Sequence, residues 1–118
     1  MKVKAQKYIE KPWGSELWIA VNDNYALKKI FLKKGQRTSL QFHQFKTEHV
    51  YILEGKLLIE EDDKDSNLVT TTYQAGEIAY SPPLAKHRLT ALEDTSIIEV
   101  STPFLDDVIR IEDDYARV

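Results

Sequence analysis

Four residues have types and spacing suited to holding a metal ion: Gln41, His43, Glu48 and His87. Gln41 and His43 lie two positions apart in a predicted strand, so both side chains point to the same side of a sheet. Glu48 begins the next predicted strand, and an antiparallel return brings its carboxylate near His43. His87 follows a proline break and is placed to close the site from another strand.

Imidazole and carboxylate ligands suit zinc, iron, manganese or nickel, so these residues predict one divalent ion without fixing which. The chain has no cysteine, which excludes thiolate ligands and disulfides and fits a reducing compartment. A lone histidine more often belongs to a core or a surface, and it is the joint spacing that favours a site. The third histidine, His49, alternates to the opposite face if Glu48 points inward, and we expect a structural role for it.

Composition places the chain among single-domain globular proteins. It has 118 residues, of which 42% are hydrophobic and 30% charged, and a chain of this length builds one core. A net charge of −3 predicts no nucleic-acid partner. The basic N-terminus lacks a following apolar stretch, and no run is long enough to span a bilayer. We therefore expect a soluble, cytoplasmic protein with no membrane partner.

Short apolar runs between polar or Gly/Pro breaks predict an all-β sandwich or barrel of about eight to ten strands. The segments 49–53 and 56–60 are predicted to form a hairpin around Glu54-Gly55, and 61–67 a solvated loop. The tail 104–118 is predicted to be a short helix or a packed extended arm. The other predicted strands are 25–32, 38–43, 68–73, 77–80, 88–92 and 96–101.

Two sets of spaced residues resemble the motifs of the cupin superfamily. The first set is Gly35, Gln41-Phe42-His43, Glu48 and Gly55, and the second is Gly76, Pro82 and His87. Further segments are similar to the type II phosphomannose isomerase domain. These segments are KPWGS at 11–15, SLQ at 39–41, KHRL at 86–89, IEV at 98–100 and DVIRIEDDY at 107–115. The same domain also occurs at the C-terminus of bacterial mannose-1-phosphate guanylyltransferases. The resemblance implies a single all-β domain over 1–118, a cupin double-stranded β-helix (jelly-roll barrel) over about 11–103 with an arm over 104–118.

The resemblance also implies which residues hold the metal. Carried over by position, His43, Glu48 and His87 are ligands, with Gln41 as the fourth and zinc as the first choice of ion. Two departures bear on metal affinity and identity. General cupins have histidine where this chain has Gln41, and the type II isomerase domain has a further histidine where it has Phe45.

The activity implied is the interconversion of mannose 6-phosphate and fructose 6-phosphate. Such an isomerisation needs a base to move a proton between adjacent carbons and a positive group to stabilise the enediolate oxygen, which a divalent ion supplies. Glu99, in the apolar strand 96–101, is the candidate base, and its alternative role is an ion pair with Arg88 or Lys86. Lys46 is a candidate helper in proton transfer, with a solvated lysine as the alternative.

A sugar-phosphate substrate also needs cationic anchors. Arg88 is the first candidate and Lys86 the second, with Arg37 nearby in sequence. Trp13 and Tyr80 are candidates for stacking on a sugar face, although large aromatic residues more often belong to cores or interfaces.

Fold alone does not dictate function. One alternative is a non-catalytic cupin that binds a sugar phosphate or sugar nucleotide. Another is an iron-dependent dioxygenase, for which two histidines and a carboxylate give a suitable open metal face. As partners we expect a small-molecule sugar phosphate and a second copy of the chain, forming a homodimer through strand edges or terminal arms.

Overall fold

Eleven β-strands form the computed structural model, which describes residues 1–118. It contains no helix of the length and hydrophobicity that crossing a membrane requires. The strands are β1 (Lys7–Lys11), β2 (Gly14–Val21), β3 (Ala26–Leu32), β4 (Leu40–Phe42), β5 (Glu48–Glu54), β6 (Lys56–Asp62), β7 (Leu68–Gln74), β8 (Ile78–Ser81), β9 (His87–Ala91), β10 (Thr95–Ser101) and β11 (Ile109–Glu112).

The strands make two antiparallel sheets that pack face to face. The six-stranded sheet has the order β1-β2-β3-β10-β5-β8, and the five-stranded sheet has the order β11-β4-β9-β6-β7. One buried hydrophobic cluster contains Ile30, Ile52 and Ile97 from the first sheet together with Leu57 and Ile59 from the second. The expected all-β architecture with one core is therefore confirmed.

Alternation along the central strands sends every second side chain into the barrel. In β10 the buried positions are Thr95, Ile97, Glu99 and Ser101. Glu99 is the cross-strand partner of Lys28 on β3. Because cross-strand partners point to the same face, the inward row that contains Glu99 also contains a lysine.

The barrel interior changes character along its length. The rows through Ile97 and Ile52 are apolar and belong to the hydrophobic cluster. The rows on the far side of them contain Glu48 and Glu99 instead, both buried. Hydrophobic burial at one end thus stabilises a barrel whose other end is free to hold charged groups.

The predicted hairpin over 49–60 is wrong. β5 pairs with β10 and β8, whereas β6 pairs with β7 and β9, so the two strands lie in different sheets. Gly55 makes the corner between the sheets with φ of +95°, a conformation that favours glycine. A Glu-Gly pair between two apolar runs is typical of a hairpin turn, but here the chain passes from one sheet to the other.

Both ends of the chain extend the sheets beyond the limits expected from sequence. The hairpin of β1 and β2 lies before the first predicted strand, and together with β11 it brings the strand count to eleven. In the tail, β11 pairs with β4, so this part of the chain is an extended strand and not a helix. The strands predicted from β-branched and alternating residues at 25–32, 68–73 and 96–101 match β3, β7 and β10 closely.

We expect Gly55→Ala to destabilise the protein more than Gly35→Ala. Both glycines have positive φ, but an added Cβ at Gly55 would lie 2.4 Å from Thr95 Oγ1, whereas nothing lies within 4 Å at Gly35. Backbone strain alone costs about 1 kcal/mol, and the clash should add about 1–3 kcal/mol. Urea unfolding of the two variants measures the difference, and equal losses would contradict a sterically closed corner.

Candidate metal centre

Two imidazoles and one carboxylate meet inside the polar end of the barrel. Nε2 of His87 lies 3.0 Å and Nε2 of His43 lies 3.6 Å from Oε1 of Glu48. One ligand atom from each of the three residues lies within 4.8 Å of the others. All three side chains are buried. His43 comes directly after β4, Glu48 begins β5 and His87 begins β9, so three strand ends converge on one point.

The other nitrogen of each imidazole faces a backbone carbonyl. Nδ1 of His43 is paired with the carbonyl oxygen of Asp107, and Nδ1 of His87 with that of Ala85 at 3.1 Å. A carbonyl oxygen only accepts, so Nδ1 carries the hydrogen in each ring and Nε2 is left with its lone pair. Both rings therefore present a ligand atom to the centre, oriented as in metal sites.

The polar atoms at this centre lack hydrogen-bond partners. Nε2 of His43, Nε2 of His87 and Oε2 of Glu48 are all buried without a hydrogen bond. Buried unpaired polar atoms are costly. A divalent cation would satisfy these groups together, and two histidines with one carboxylate are a recognised ligand set for zinc or iron that leaves a position open. The residues therefore fit a bound metal ion.

A buried ion-pair network adjoins the triad. Nζ of Lys46 lies 3.2 Å from Oε2 of Glu48 and 3.1 Å from Oε1 of Glu99. Burial lowers the pKa of Lys46, but the two carboxylates outweigh it and raise that pKa on balance. Burial and the neighbouring Glu48 carboxylate raise the pKa of Glu99 to about 8. Burial alone would raise the pKa of Glu48, yet the adjacent Glu99 carboxyl group, the two imidazoles and the Lys46 charge together hold that pKa well below its usual range.

A row of inward-pointing residues crosses the five-stranded sheet beside the triad. Gln41 is the cross-strand partner of His87 on one side and of Arg110 on the other. Cross-strand partners share a face, so the amide and the guanidinium both turn toward the metal centre. Ser39 donates a hydrogen bond of 2.6 Å to Oε1 of Gln41, and Nε of Arg110 is buried without a partner.

The triad opens into a cavity of about 470 Å³ between the sheets. Both ends of the chain contribute to its walls, with Trp13 and Trp18 from the N-terminal part and Leu105 and Val108 from the arm. Lys46 and Glu99 also line it. The volume lies in the range of small-molecule sites, so the triad, a buried carboxyl group and a guanidinium share one cavity.

The sequence model of the family described as Mannose-6-phosphate isomerase C-terminal matches residues 1–113. The chain belongs to this family. The alginate biosynthesis protein AlgA of Pseudomonas aeruginosa is 33% identical over 92% of the chain. The mannose-1-phosphate guanylyltransferase of Escherichia coli K12 is 32% identical over 98%. The chain spans about a quarter of the length of these relatives, 23% and 24% respectively.

Solved structures place the family's fold among the cupins. KdgF from a Halomonas species superposes with a TM-score of 0.75 at 16% identity, over 86% of this chain and 89% of KdgF. A Bacillus subtilis oxalate decarboxylase superposes with a TM-score of 0.75 at 21% identity, over 90% of this chain and 30% of the decarboxylase. The cupin double-stranded β-helix expected from sequence is confirmed.

Some residues predicted for the site are brought to it by this cupin barrel, and others are not. Gln41 and Lys46 join the triad in the cavity, and Lys46 is buried, contrary to the alternative of a solvated lysine. Glu99 also lines the cavity, and its ion-pair partner is Lys46 rather than Arg88 or Lys86.

Arg88 and Lys86 lie outside the cavity, which corrects their placement as substrate anchors. His87 points inward, so its neighbours on the strand point outward. Arg88 donates to the Thr38 carbonyl and contacts Glu112 of the arm, and Lys86 lies 3.8 Å from Asp62. Both side chains therefore contact other parts of the chain and not the cavity.

The remaining candidates divide in the same way. Trp13 lines the cavity, whereas Tyr80 stacks on His49 outside the barrel at 4.7 Å between ring centroids. Arg37 forms an ion pair with Asp114 of the arm. Phe45, where the family's type II isomerases have a histidine, is 65% exposed and does not line the cavity.

Sequence analysis missed two residues of the site, Arg110 and Asp107. Asp107 accepts hydrogen bonds from the backbone N–H groups of Gln44, Phe45 and Lys46, and these bonds fix the turn that carries Lys46. Both residues lie in the segment DVIRIEDDY, which carried the family resemblance. The resemblance of that segment to the family could have pointed to both residues, but the pairing of β11 with β4 was not predictable from sequence.

We expect His43→Ala and His87→Ala each to weaken metal binding at least about 100-fold, since each removes a ligand atom. The wild-type protein should hold close to one equivalent of a divalent ion after reconstitution and dialysis, as measured by plasma mass spectrometry. His49→Ala is the matched control, because this histidine is exposed on the outer face. Unchanged metal content in both ligand variants would overturn the site.

Proposed function

We propose that this cupin domain is a metal-dependent isomerase that interconverts mannose 6-phosphate and fructose 6-phosphate through an enediol. Membership of the mannose-6-phosphate isomerase C-terminal family supports the substrate class. The observation that carries the proposal is the triad His43, Glu48 and His87 sharing one cavity with the Lys46–Glu99 pair. We propose zinc as the ion, held by the triad with Gln41 adjacent.

A bound divalent ion would supply Lewis acidity at the substrate's carbonyl and hydroxyl oxygens, where negative charge develops. The chain supplies the proton transfer. In its ionised form, Glu99 takes the proton from C2 of the aldose and returns it to C1, while a proton passes from the C2 hydroxyl to the C1 oxygen, so that the aldehyde becomes the ketose. Lys46 lies 3.1 Å from the Glu99 carboxyl group. It fixes the position of this group and offsets its negative charge when the carboxyl is ionised.

Arg110 is the proposed anchor for the substrate phosphate. It lines the cavity, and its Nε is buried without a partner, whereas Lys28 and Arg117 each lie within 4 Å of a carboxylate. β9 and β11 flank β4, so His87 and Arg110 are separated by two strand spacings, roughly 10 Å. This span suits a hexose phosphate whose C1 end lies at the metal and whose phosphate reaches Arg110.

Glu99→Gln should lower kcat for mannose 6-phosphate conversion by about 10²–10⁴-fold, the usual contribution of a general base, while metal content stays near one equivalent. Glu54→Gln, an exposed carboxylate at the end of β5, serves as the control. The assay follows fructose 6-phosphate formation without oxygen. Turnover that requires oxygen would favour a dioxygenase, and sugar-phosphate binding without any turnover would favour a binding module.

Arg110→Ala should raise KM for mannose 6-phosphate more than it lowers kcat, because the phosphate is bound alike in the ground and transition states. A rise in KM of about 10–100-fold corresponds to loss of a charge-assisted hydrogen bond. Lys86→Ala is the control, since its ammonium lies outside the cavity beside Asp62. A larger effect from the Lys86 variant would restore the anchor predicted from sequence.

A further inference from the structure

Charged residues of β1, β2 and β3 form one wall of the cavity. Those that line it are Lys7, Lys11, Glu16 and Lys28. We call these four residues, together with the cavity-lining Trp18, the lysine wall. Three ammonium groups accompany a single carboxylate there, so the wall carries an excess of two positive charges at neutral pH.

Trp18 orders two of these ammonium groups. Lys7 and Lys28 are its cross-strand partners on either side, and their Nζ atoms lie 5.0 and 4.7 Å from the centroid of its ring. The indole N–H donates a hydrogen bond of 3.1 Å to Oε1 of Glu16, which fixes the ring. Because an ammonium group at this distance is attracted to the face of an indole, the lysine wall is preorganised for a ligand.

The ammonium groups of the lysine wall have few close acceptors within the chain. Lys28 is only 6% exposed, yet its Nζ lies 3.5 Å from Oε1 of Glu16. Nζ of Lys11 lies 3.9 Å from Oε2 of the same carboxylate. Both distances exceed that of an ordinary N–H···O hydrogen bond, and a buried charge without close acceptors is costly. An anion with several oxygens, placed in the cavity, would supply the acceptors.

A phosphate group fits the lysine wall best. A phosphate monoester carries about −1.5 to −2 charges at neutral pH and has three strong acceptor oxygens, which match the excess charge and the three ammonium groups. The wall belongs to the six-stranded sheet, whereas Arg110 belongs to the five-stranded sheet. The two walls are therefore separate places for an anion within one cavity.

We infer that the lysine wall is a second phosphate site, through which the cavity binds hexose 1,6-bisphosphates as inhibitors. The placement of the sugar rests on the proposed function, in which the C1 end lies at the metal centre and the C6 phosphate at Arg110. Lys28 is the cross-strand partner of Glu99, the base that acts at C1 and C2. A phosphate on the C1 oxygen therefore lies beside the lysine wall.

A phosphate ester at C1 also makes the ligand unreactive. A hexose that is esterified on its anomeric oxygen does not open to the aldehyde, so its C2 hydrogen is not acidified by a carbonyl group. Glu99 then has no proton to move, and no enediol forms. The bisphosphate occupies both phosphate sites without turnover and competes with mannose 6-phosphate.

Isothermal titration calorimetry of the metal-reconstituted chain tests the second site with two ligands that are not turned over. Mannose 1,6-bisphosphate carries a phosphate at C1, and methyl mannoside 6-phosphate carries a methyl group there. We expect the bisphosphate to bind about 10–100-fold more tightly, the gain from a charge-assisted hydrogen bond. Metal content is measured after each titration, so that removal of the ion by the bisphosphate is not counted as binding.

Variants of the lysine wall assign this gain to its ammonium groups. Lys7→Met and Lys28→Met each remove a charge and keep an unbranched side chain, and each should lower the ratio of the two affinities at least about fivefold. Lys29→Met is the matched control, since Lys29 follows Lys28 on β3 but is exposed on the opposite face. It should keep the wild-type ratio.

Trp18 emission gives a second measurement. The bisphosphate should change the fluorescence of the wild-type protein, and Trp18→Phe should abolish that change, because Trp13 is 5% exposed within the hydrophobic cluster. Equal affinity for the two ligands, or a ratio that both lysine variants leave unchanged, would overturn the second site. Bisphosphate binding that depends on Lys7 and Lys28, in a protein without isomerase activity, would overturn the proposed function and leave the second site standing.

Discussion

Two carboxylates and an ammonium group are buried together in this barrel, and their mutual compensation constrains much of the structure around them. An isolated buried charge costs several kcal/mol. Glu48 and Glu99 are tolerated because Lys46 lies within 3.2 Å of both, and because the site holds two imidazoles ready to share a cation. The network leaves Glu48 ionised and Glu99 prone to keep its proton.

Strand alternation is what brings these groups together. Glu48 and Glu99 occupy inward positions on neighbouring strands, and the residues on either side of each face outward. A shift of one residue in the pairing of β5 with β10 would exchange the polar interior for the exposed Tyr51 and Val100. The interleaved apolar rows at the other end of the barrel resist that shift, so the hydrophobic core and the metal centre depend on the same register.

The sequence was most informative where chemistry and spacing coincide. His43, Glu48 and His87 were predictable because the cupin spacing is specific, and central strands such as β3 and β10 because alternation is local. Contacts made by distant segments were not predictable. Arg88 was predicted to be a substrate anchor because it follows His87 in sequence, yet successive residues of a strand point to opposite faces, so Arg88 points away from the cavity. Arg110 has no local signal, because its position depends on β11 joining β4. The Glu54-Gly55 pair was predicted to be a hairpin turn, because a connection between two sheets and a turn within one sheet use similar residues.

The C-terminal arm has a consequence for the order in which the site matures. Asp107 orients His43 through its carbonyl and the turn at 44–46 through its carboxylate, yet it lies 64 positions after His43. A ribosome therefore synthesises all three ligands well before it reaches the residue that aligns one of them. A metal ion at this centre would bind with full affinity only after the arm has been translated past Asp107 and docked beside β4, which would make its acquisition a late step of biogenesis.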